Sequence, residues 1–227
     1  MKFKAKIANF WYYHKWKVII GSFLSIFLGI CIVQLFQKEE YDVRFVYCGP
    51  QYLAEEDSQA MMTAFERLMA KDYDGDGEKN ALLIDVIVMS DEQIVERREE
   101  AKKNDVAFMY DVSSRNSLLM RVSSYLSTGE ALIGLFDNYV YQGLKEEGAF
   151  VPLADVLGYT PEYAIDEYSV YFKDTDFAKS QGAFSALPED TILCIKTIPL
   201  LYKTDTQKRV YNDHLDYFRR IFEFRVD

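Results

Sequence analysis

Histidine and cysteine are scarce in this chain, and their shortage excludes several kinds of catalytic and metal site. The 227 residues include two histidines, His14 and His214, and three cysteines, Cys31, Cys48 and Cys194. A serine or cysteine nucleophile usually needs a neighbouring base, and the sequence has no G-x-S-x-G, CxxC or HExxH motif. Walker and GxGxxG loops are also missing. We therefore expect no enzyme, no catalytic residues and no required cofactor.

Proline and glycine are also few, which argues against a long disordered segment. The chain has 5 Pro and 11 Gly, and 49% of its residues are hydrophobic. This composition is typical of an ordered protein, and the length suits one membrane segment followed by one domain. We see no internal repeat.

Basic and acidic residues are distributed unevenly, and the beginning of the chain is basic with no acidic residue. Residues 1–17 contain five of the 26 basic residues and no acidic residue, so the remainder carries 21 basic against 36 acidic residues, a net charge of −15. Such an acidic body repels phosphate backbones, and we expect no nucleic-acid partner.

The one long apolar run extends over residues 18–36 and contains no charged residue. Its nineteen residues are enough to cross a hydrocarbon core, so we predict a single transmembrane helix that contacts the bilayer. The lysines and aromatic residues of the flank 1–17 place that flank in the cytoplasm, and residues 41–227 then form an extracytoplasmic domain. A cleavable signal peptide, a lipoprotein site at Cys31 and a buried soluble helix are the alternatives.

Residues 41–227 alternate between strand and helix patterns. This order predicts an α/β fold with a mainly parallel sheet, because the apolar run Leu82–Met89 resembles a strand covered on both faces. The predicted strands are 41–47, 82–89, 105–110, 131–136, 169–172 and 191–198. The predicted helices are 55–71, 90–104, a helix capped by Ser113, 138–147, and a terminal helix whose stripe Tyr211, Leu215, Phe218 and Phe222 we expect to be a docking surface.

An Asp-Gly loop between the first helix and the second strand resembles the first half of a calcium loop. Asp72, Asp74 and Asp76 stand at positions 1, 3 and 5, and Asn80 stands at position 9. Position 12 is Leu83, so the bidentate glutamate is missing and any calcium binding should be weak. The alternative is a tight turn held by side chain to backbone hydrogen bonds.

The order of segments resembles the small extracytoplasmic solute-binding proteins of Gram-positive bacteria, which have the type II periplasmic-binding-protein fold. The resemblance is carried by the first strand and by three stretches, DYDGDGEKNALLIDVIV, STGEALIGLFDNYVYQGLKEEGAFVPLADVLG and DFAKSQGAFSALPEDTILCIKT. It implies a reduced version of that fold, because only residues 157–187 are left to form a second lobe.

The resemblance implies a membrane-tethered, solute-binding-like protein at the cytoplasmic membrane, with a sugar, a peptide or an amino acid as ligand in a cleft lined by tyrosines. Ligands of open α/β sheets bind beyond the carboxyl ends of the strands, which selects Cys48, Gly49, Asp111 and Asp137 as cleft candidates. The alternative is an interaction or scaffold module of the cell envelope that holds a protein partner. Cys48 and Cys194 could form a disulfide, but two buried thiols fit the strand pattern better.

Overall fold

The computed structural model describes residues 2–36 and 41–225, and it describes side chains for residues 11–31 and 41–225. The chain divides into two units, residues 1–40 and residues 41–227, each of which is considered separately below. The predicted boundary between the membrane segment and the domain lies close to this division.

The first unit is a helix, α1 (Lys2–Phe36). Within its described residues, Trp11–Cys31 is long and apolar enough to cross a membrane, a property that a signal sequence near the N-terminus shares. This window begins before the predicted segment 18–36, whose last five side chains lie outside the described residues. The hydroxyl of Ser25 donates a hydrogen bond to the carbonyl of Gly21 at 2.9 Å, so this polar group is satisfied inside the helix.

The second unit is built on one six-stranded sheet in the order β2-β1-β3-β6-β5-β4. Its strands are β1 (Val43–Gly49), β2 (Ala81–Ile87), β3 (Ile133–Phe136), β4 (Ala164–Asp166), β5 (Ser169–Tyr171) and β6 (Ile192–Ile195). β1 is parallel to both β2 and β3, whereas β3–β6, β6–β5 and β5–β4 are antiparallel pairs. The predicted α/β class is thus confirmed, but the mainly parallel sheet is wrong, because the sheet is mixed.

The error has a physical cause in β6 and the short hairpin β4–β5. All four residues of β6 are buried, and a strand buried on both faces has the same apolar pattern in either direction. β4 and β5 are three residues each and are joined by a two-residue connection, a length that only an antiparallel pair allows.

Helices cover both faces of the sheet. They are α2 (Glu55–Leu68), α3 (Asp91–Lys103), α4 (Arg115–Thr128), α5 (Asn138–Glu146), α6 (Leu153–Leu157), α7 (Asp176–Ser180) and α8 (Asp205–Glu223). Side chains of α2, α6, α7 and α8 pack with Phe45 on one face, and side chains of α4 and α5 pack with Val46 on the other. This division follows from the alternation of successive β1 side chains.

The sheet face that bears Phe45 has an aromatic core, and residues 157–187, the predicted second lobe, contribute to it. Phe65 stacks on Phe45 with ring centroids 3.9 Å apart, and it also contacts Phe172, Phe177 and Phe184. Residues 157–187 therefore extend the same sheet and core, and the described residues 41–225 form one compact unit instead of two lobes. Aromatic pairs of this kind add to the stabilisation from burial alone.

The hairpin β4–β5 is fixed to α5 by the carboxylate of Asp166. This carboxylate accepts hydrogen bonds from Tyr141 Oη and Lys145 Nζ, both at 2.8 Å, and from Ser169 Oγ at 3.0 Å. Burial disfavours its charge, but the hydrogen bonds, that of Lys145 above all, leave the pKa of Asp166 lowered. The ionised carboxylate thus stabilises the junction between hairpin and helix.

Three local predictions differ from the structure. The predicted strand 105–110 is an irregular connection that starts at Asp105 with φ +52°. Ser113 lies inside a short 3₁₀ helix that Asp111 caps, and it does not cap α4. The aromatic stripe of α8 is covered, because Tyr211, Phe218 and Phe222 are buried within the domain.

Candidate functional site

The carboxyl ends of β1 and β3 form the point where the order of the strands reverses. From β1 the chain runs through α2 to β2 on one side, and it then returns through α3 and α4 to β3 on the other side of β1. Open α/β sheets bind ligands in the crevice at such a switch point. Two of the cleft candidates meet here, namely Gly49, the last residue of β1, and Asp137, the residue after β3.

Gly49 allows the close approach of two neighbouring side chains. A Cβ atom on Gly49 would lie 2.8 Å from Tyr47 Oη and 3.3 Å from Asp137 Cβ, both tighter than ordinary contacts. Tyr47 Oη in turn accepts a hydrogen bond from the backbone N–H of Gln51 at 3.1 Å. Gly49 thus shapes this edge and presents no side chain to a ligand.

Asp137 is buried and joins two helix N-termini. Its Oδ1 accepts the backbone N–H of Tyr139 at 2.8 Å and so caps α5, while its Oδ2 accepts Gln93 Nε2 at 2.8 Å. Gln93 also forms a capping box with Ser90 at the start of α3. This chain of hydrogen bonds fixes the N-terminal ends of α3 and α5 side by side.

A groove of about 480 Å³ opens beside this junction. It is lined by Ser90, Glu92, Gln93, Asp137, Asn138, Tyr139, Gln142 and Asp190. The lining contains three carboxylates, three side-chain amides and one aromatic ring, and it includes no Lys, Arg, His or Cys among the described residues. Such groups can accept and donate hydrogen bonds and can stack, and they favour a hydroxylated or cationic molecule over an anion.

The third cleft candidate, Asp111, does not line the groove. Its carboxylate is exposed and accepts both the hydroxyl and the backbone N–H of Ser113, and these hydrogen bonds lower the pKa of Asp111. The tyrosines of residues 159–171 also lie elsewhere, so Tyr139 is the one tyrosine among the described lining residues. The sequence analysis did not predict that Gln93 and Gln142 line the groove. The position of Gln93 just after β2 does indicate that it lies near the carboxyl edge of the sheet.

The Asp-Gly loop lies at the opposite, amino edge of the sheet, where β2 begins. Of the four predicted calcium ligands, Asp72 and Asp74 come together, and a third carboxylate, that of Asp42, joins them within 4.8 Å. Asp76 accepts the N–H of Glu78 at 2.8 Å, and Asn80 Oδ1 accepts the N–H of Asp42 at 3.0 Å. Asp72 and Asp74 also accept backbone N–H groups, so all four predicted ligands are engaged by the backbone.

Backbone donors and like charges shift the pKa values of the aspartates in this loop in opposite directions. The N–H groups of Gly75 and Gly77 donate to Asp72 and lower its pKa. The pKa of Asp74 is raised, first because burial disfavours its charge and further because Asp42 and the neighbouring aspartates repel it. Oxygen ligands of this kind suit Ca²⁺, and the same hydrogen bonds hold the loop as a turn.

No protein-family model matches this chain, and no curated protein or solved structure is significantly similar to it. Function must therefore be argued from the groove and the two edges of the sheet.

The two cysteines and the histidine of the second unit lie in its core. Cys48 and Cys194 are free thiols in β1 and β6, which are separated by β3, and burial raises the pKa of both. They act as small apolar side chains, as the strand pattern suggested. His214 is buried near the first residues of β1, where its Nε2 accepts the N–H of Arg44 at 3.2 Å.

Proposed function

We propose that this chain is a membrane-anchored protein whose extracytoplasmic domain binds a small polar solute in the groove at the β1–β3 switch point. The observation that carries the proposal is the convergence of Gln93, Asp137 and Tyr139 at the ends of α3 and α5. A second lobe is not required, because the groove is formed within one sheet edge and its two neighbouring helices.

The chemistry of the groove selects the class of solute. Glu92, Asp137 and Asp190 supply negative charge, whereas Asn138 and Gln142 supply paired amide donors and acceptors. A sugar, or an amino acid or peptide with a free amine, fits this set, since hydroxyls pair with carboxylates and amides and can stack on Tyr139. We propose binding and not catalysis, because the described lining offers no histidine or cysteine as base or nucleophile.

Anchoring and orientation are part of the same proposal. The apolar helix window Trp11–Cys31 supports a membrane span, and the five lysines of residues 1–17 favour a cytoplasmic N-terminus. A retained anchor would keep the acidic domain at the outer face of the cytoplasmic membrane.

The test is a thermal-stability screen of the detergent-solubilised full chain with sugars, amino acids and short peptides. A solute that binds only the folded state should stabilise it, by about 2.7 kcal/mol at a concentration 100 times its Kd. Gln142→Ala should abolish the shift in melting temperature. The matched control is Gln59→Ala, because Gln59 is also an exposed helical glutamine with a partner four residues away, Glu55.

Two results would contradict the proposal. The first is that no member of the panel shifts the melting temperature, and the second is that Gln142→Ala leaves the shift as large as Gln59→Ala does. The first result would exclude the proposed solute classes, and the second would place the solute outside the groove.

A protein-interaction module is the second candidate, and a groove between α4 and α5 favours it. This groove of about 270 Å³ is lined mainly by apolar side chains, among them Leu119, Met120 and Leu144, and Met120 is 66% exposed. Exposed apolar clefts of this kind often receive a side chain of a partner. Under this alternative, a photo-crosslinker at position 120 captures one envelope protein in intact cells, and one at position 59 captures none.

A further inference from the structure

The connection between β6 and α8 presents an apolar tip to solvent. Leu200 is 94% exposed, Leu201 is 61% exposed, and Ile198 is also exposed. Pro199 lies between them and accepts the N–H of Tyr202 at 2.9 Å, which closes a turn. Single exposed leucines are common on protein surfaces, but three large aliphatic side chains in four consecutive residues form a patch that needs an explanation.

Both ends of this tip are fixed to the domain. Before it, the backbone N–H of Thr197 donates to Ala149 O at 2.9 Å. After it, Tyr202 Oη donates to Gly129 O at 3.2 Å, and the ring packs so closely that a Cβ on Gly129 would lie 2.0 Å from Tyr202 Oη. The loop that carries the exposed leucines is therefore fixed to the domain at both ends, and its leucine side chains lie in solvent.

Basic residues flank the tip in sequence, in an otherwise acidic domain. Residues 196–209 contain four basic residues and one acidic residue, a net charge of +3, whereas the chain after residue 17 has a net charge of −15. Lys203, Lys208 and Arg209 are exposed. Aliphatic side chains flanked by lysine and arginine are typical of surfaces that enter the headgroup region of an anionic bilayer.

The tip lies at the sheet edge where the chain enters the domain. β1 and β3 begin at this edge, and antiparallel β6 ends there, since Ile195 pairs with Ile133. Six residues separate Phe36, the end of α1, from Val43, and an extended connection of that length reaches at most about 25 Å. The acidic loop 72–78 is at the same edge but precedes β2, and both β1 and β3 lie between β2 and β6.

We propose that residues 198–201 insert into the outer headgroup region of the anchoring membrane, with Lys203, Lys208 and Arg209 facing anionic phospholipid. The inference rests on the proposed anchor and outward topology. It adds a second, peripheral contact that orients the domain and turns the solute groove, at the opposite edge of the sheet, away from the bilayer.

The experiment uses the full chain in nanodiscs that contain phosphatidylglycerol and a lipid-borne quencher. An environment-sensitive fluorophore is attached through Leu200→Cys or, as a matched control, through Met109→Cys. Met109 is 93% exposed, and its neighbour Tyr110 accepts the N–H of Met89 just beyond β2, at the carboxyl edge. We expect a blue shift and several-fold quenching at position 200 and neither at position 109.

Charge variants and zwitterionic lipid test whether anionic headgroups attract the tip. Lys203→Glu with Lys208→Glu, or discs of zwitterionic lipid alone, should return position 200 most of the way to the aqueous signal. If the chain fails to remain with the discs, the anchor and this proposal are both overturned. If the chain remains with the discs and the fluorophore at position 200 gives the same signal as the one at position 109, only the lipid contact is overturned. The lipid contact is also overturned if the emission at position 200 is blue-shifted without quenching by lipid, and that result indicates a protein partner.

Discussion

Asp42 is the residue before β1, and three backbone N–H groups of the loop that precedes β2 donate to its carboxylate. They are those of Tyr73, Asp74 at 3.0 Å and Asn80 at 3.1 Å, and Asp42 is only 4% exposed. These backbone donors satisfy the oxygens of a buried carboxylate without a cation. The loop therefore has a structural explanation that does not depend on calcium.

We predict that Asp42→Ala destabilises the domain far more than Asp76→Ala. The first change leaves three N–H groups without their acceptor and should cost about 2–4 kcal/mol, whereas Asp76 loses one exposed bond and should cost under about 1 kcal/mol. Urea unfolding of the detergent-solubilised chain measures both. Equal costs would contradict the role given to Asp42.

Calcium binding is tested with a further variant, Asp74→Ala. If the carboxylates of Asp42, Asp72 and Asp74 hold an ion, millimolar Ca²⁺ raises the melting temperature, and Asp74→Ala abolishes the rise. A flat titration up to about 10 mM would remove the metal site, since extracellular modules bind Ca²⁺ at about 0.1–1 mM.

The spacing of aspartates in the loop identified Asp72 and Asp74, but it could not include Asp42. Twenty-nine residues separate Asp42 from Asp72, and the parallel register that pairs Val43 with Ala81 brings them together. Local patterns predict turns, whereas contacts across the sheet depend on register, which no single segment specifies.

Among the elements, α8 is joined to β1 through a buried histidine. His214 Nε2 accepts the N–H of Arg44, so the ring is neutral and its Nδ1–H donates to Val210 O at 2.8 Å. Burial lowers the pKa of His214 from 6.5 to about 4. At low pH, His214 must therefore take up a proton although the folded state favours its neutral form.

The sign of the pH dependence follows from this lowered pKa. The unfolded chain binds the proton first, so the stability contributed by neutral His214 is complete above pH 6.5 and is lost as the pH falls towards 4. Between pH 7 and pH 5 the free energy of unfolding should fall by about 2 kcal/mol on this account. His214→Gln should remove most of that fall, and identical pH slopes in both proteins would refute it.

The elements themselves were largely predictable, and their directions were not. β1, α2, β2 and α5 follow the apolar patterns closely, because each element presents its own apolar face to the core. The helix α3, in which Ile94 is buried, was predicted from the helical spacing of its charged residues. The segment 105–110 has strand-forming residues but finds no partner strand, and β6 carries no local signal of its direction. Among the residues that line the groove, Asp137 could be predicted from the end of a strand, whereas the position of Gln142 depends on the rotation of α5 about its axis.

At the scale of the whole molecule, the two edges of the sheet have different characters. The carboxyl edge has the polar groove with Asp137, and the amino edge has the chain entry and the aliphatic tip at Leu200. If the amino edge of the sheet faces the membrane, the groove at the carboxyl edge faces the extracellular space. The account therefore depends first on the anchor and its orientation.

Cysteine accessibility in intact cells tests that central claim most directly. Lys6→Cys and Met109→Cys are each treated with a membrane-impermeant maleimide, while the native Cys48 and Cys194 are shielded by burial. The account predicts labelling at position 109, none at position 6 until the membrane is permeabilised, and one membrane-bound product that keeps its N-terminus. Labelling at position 6 alone, or a domain released without α1, would contradict it.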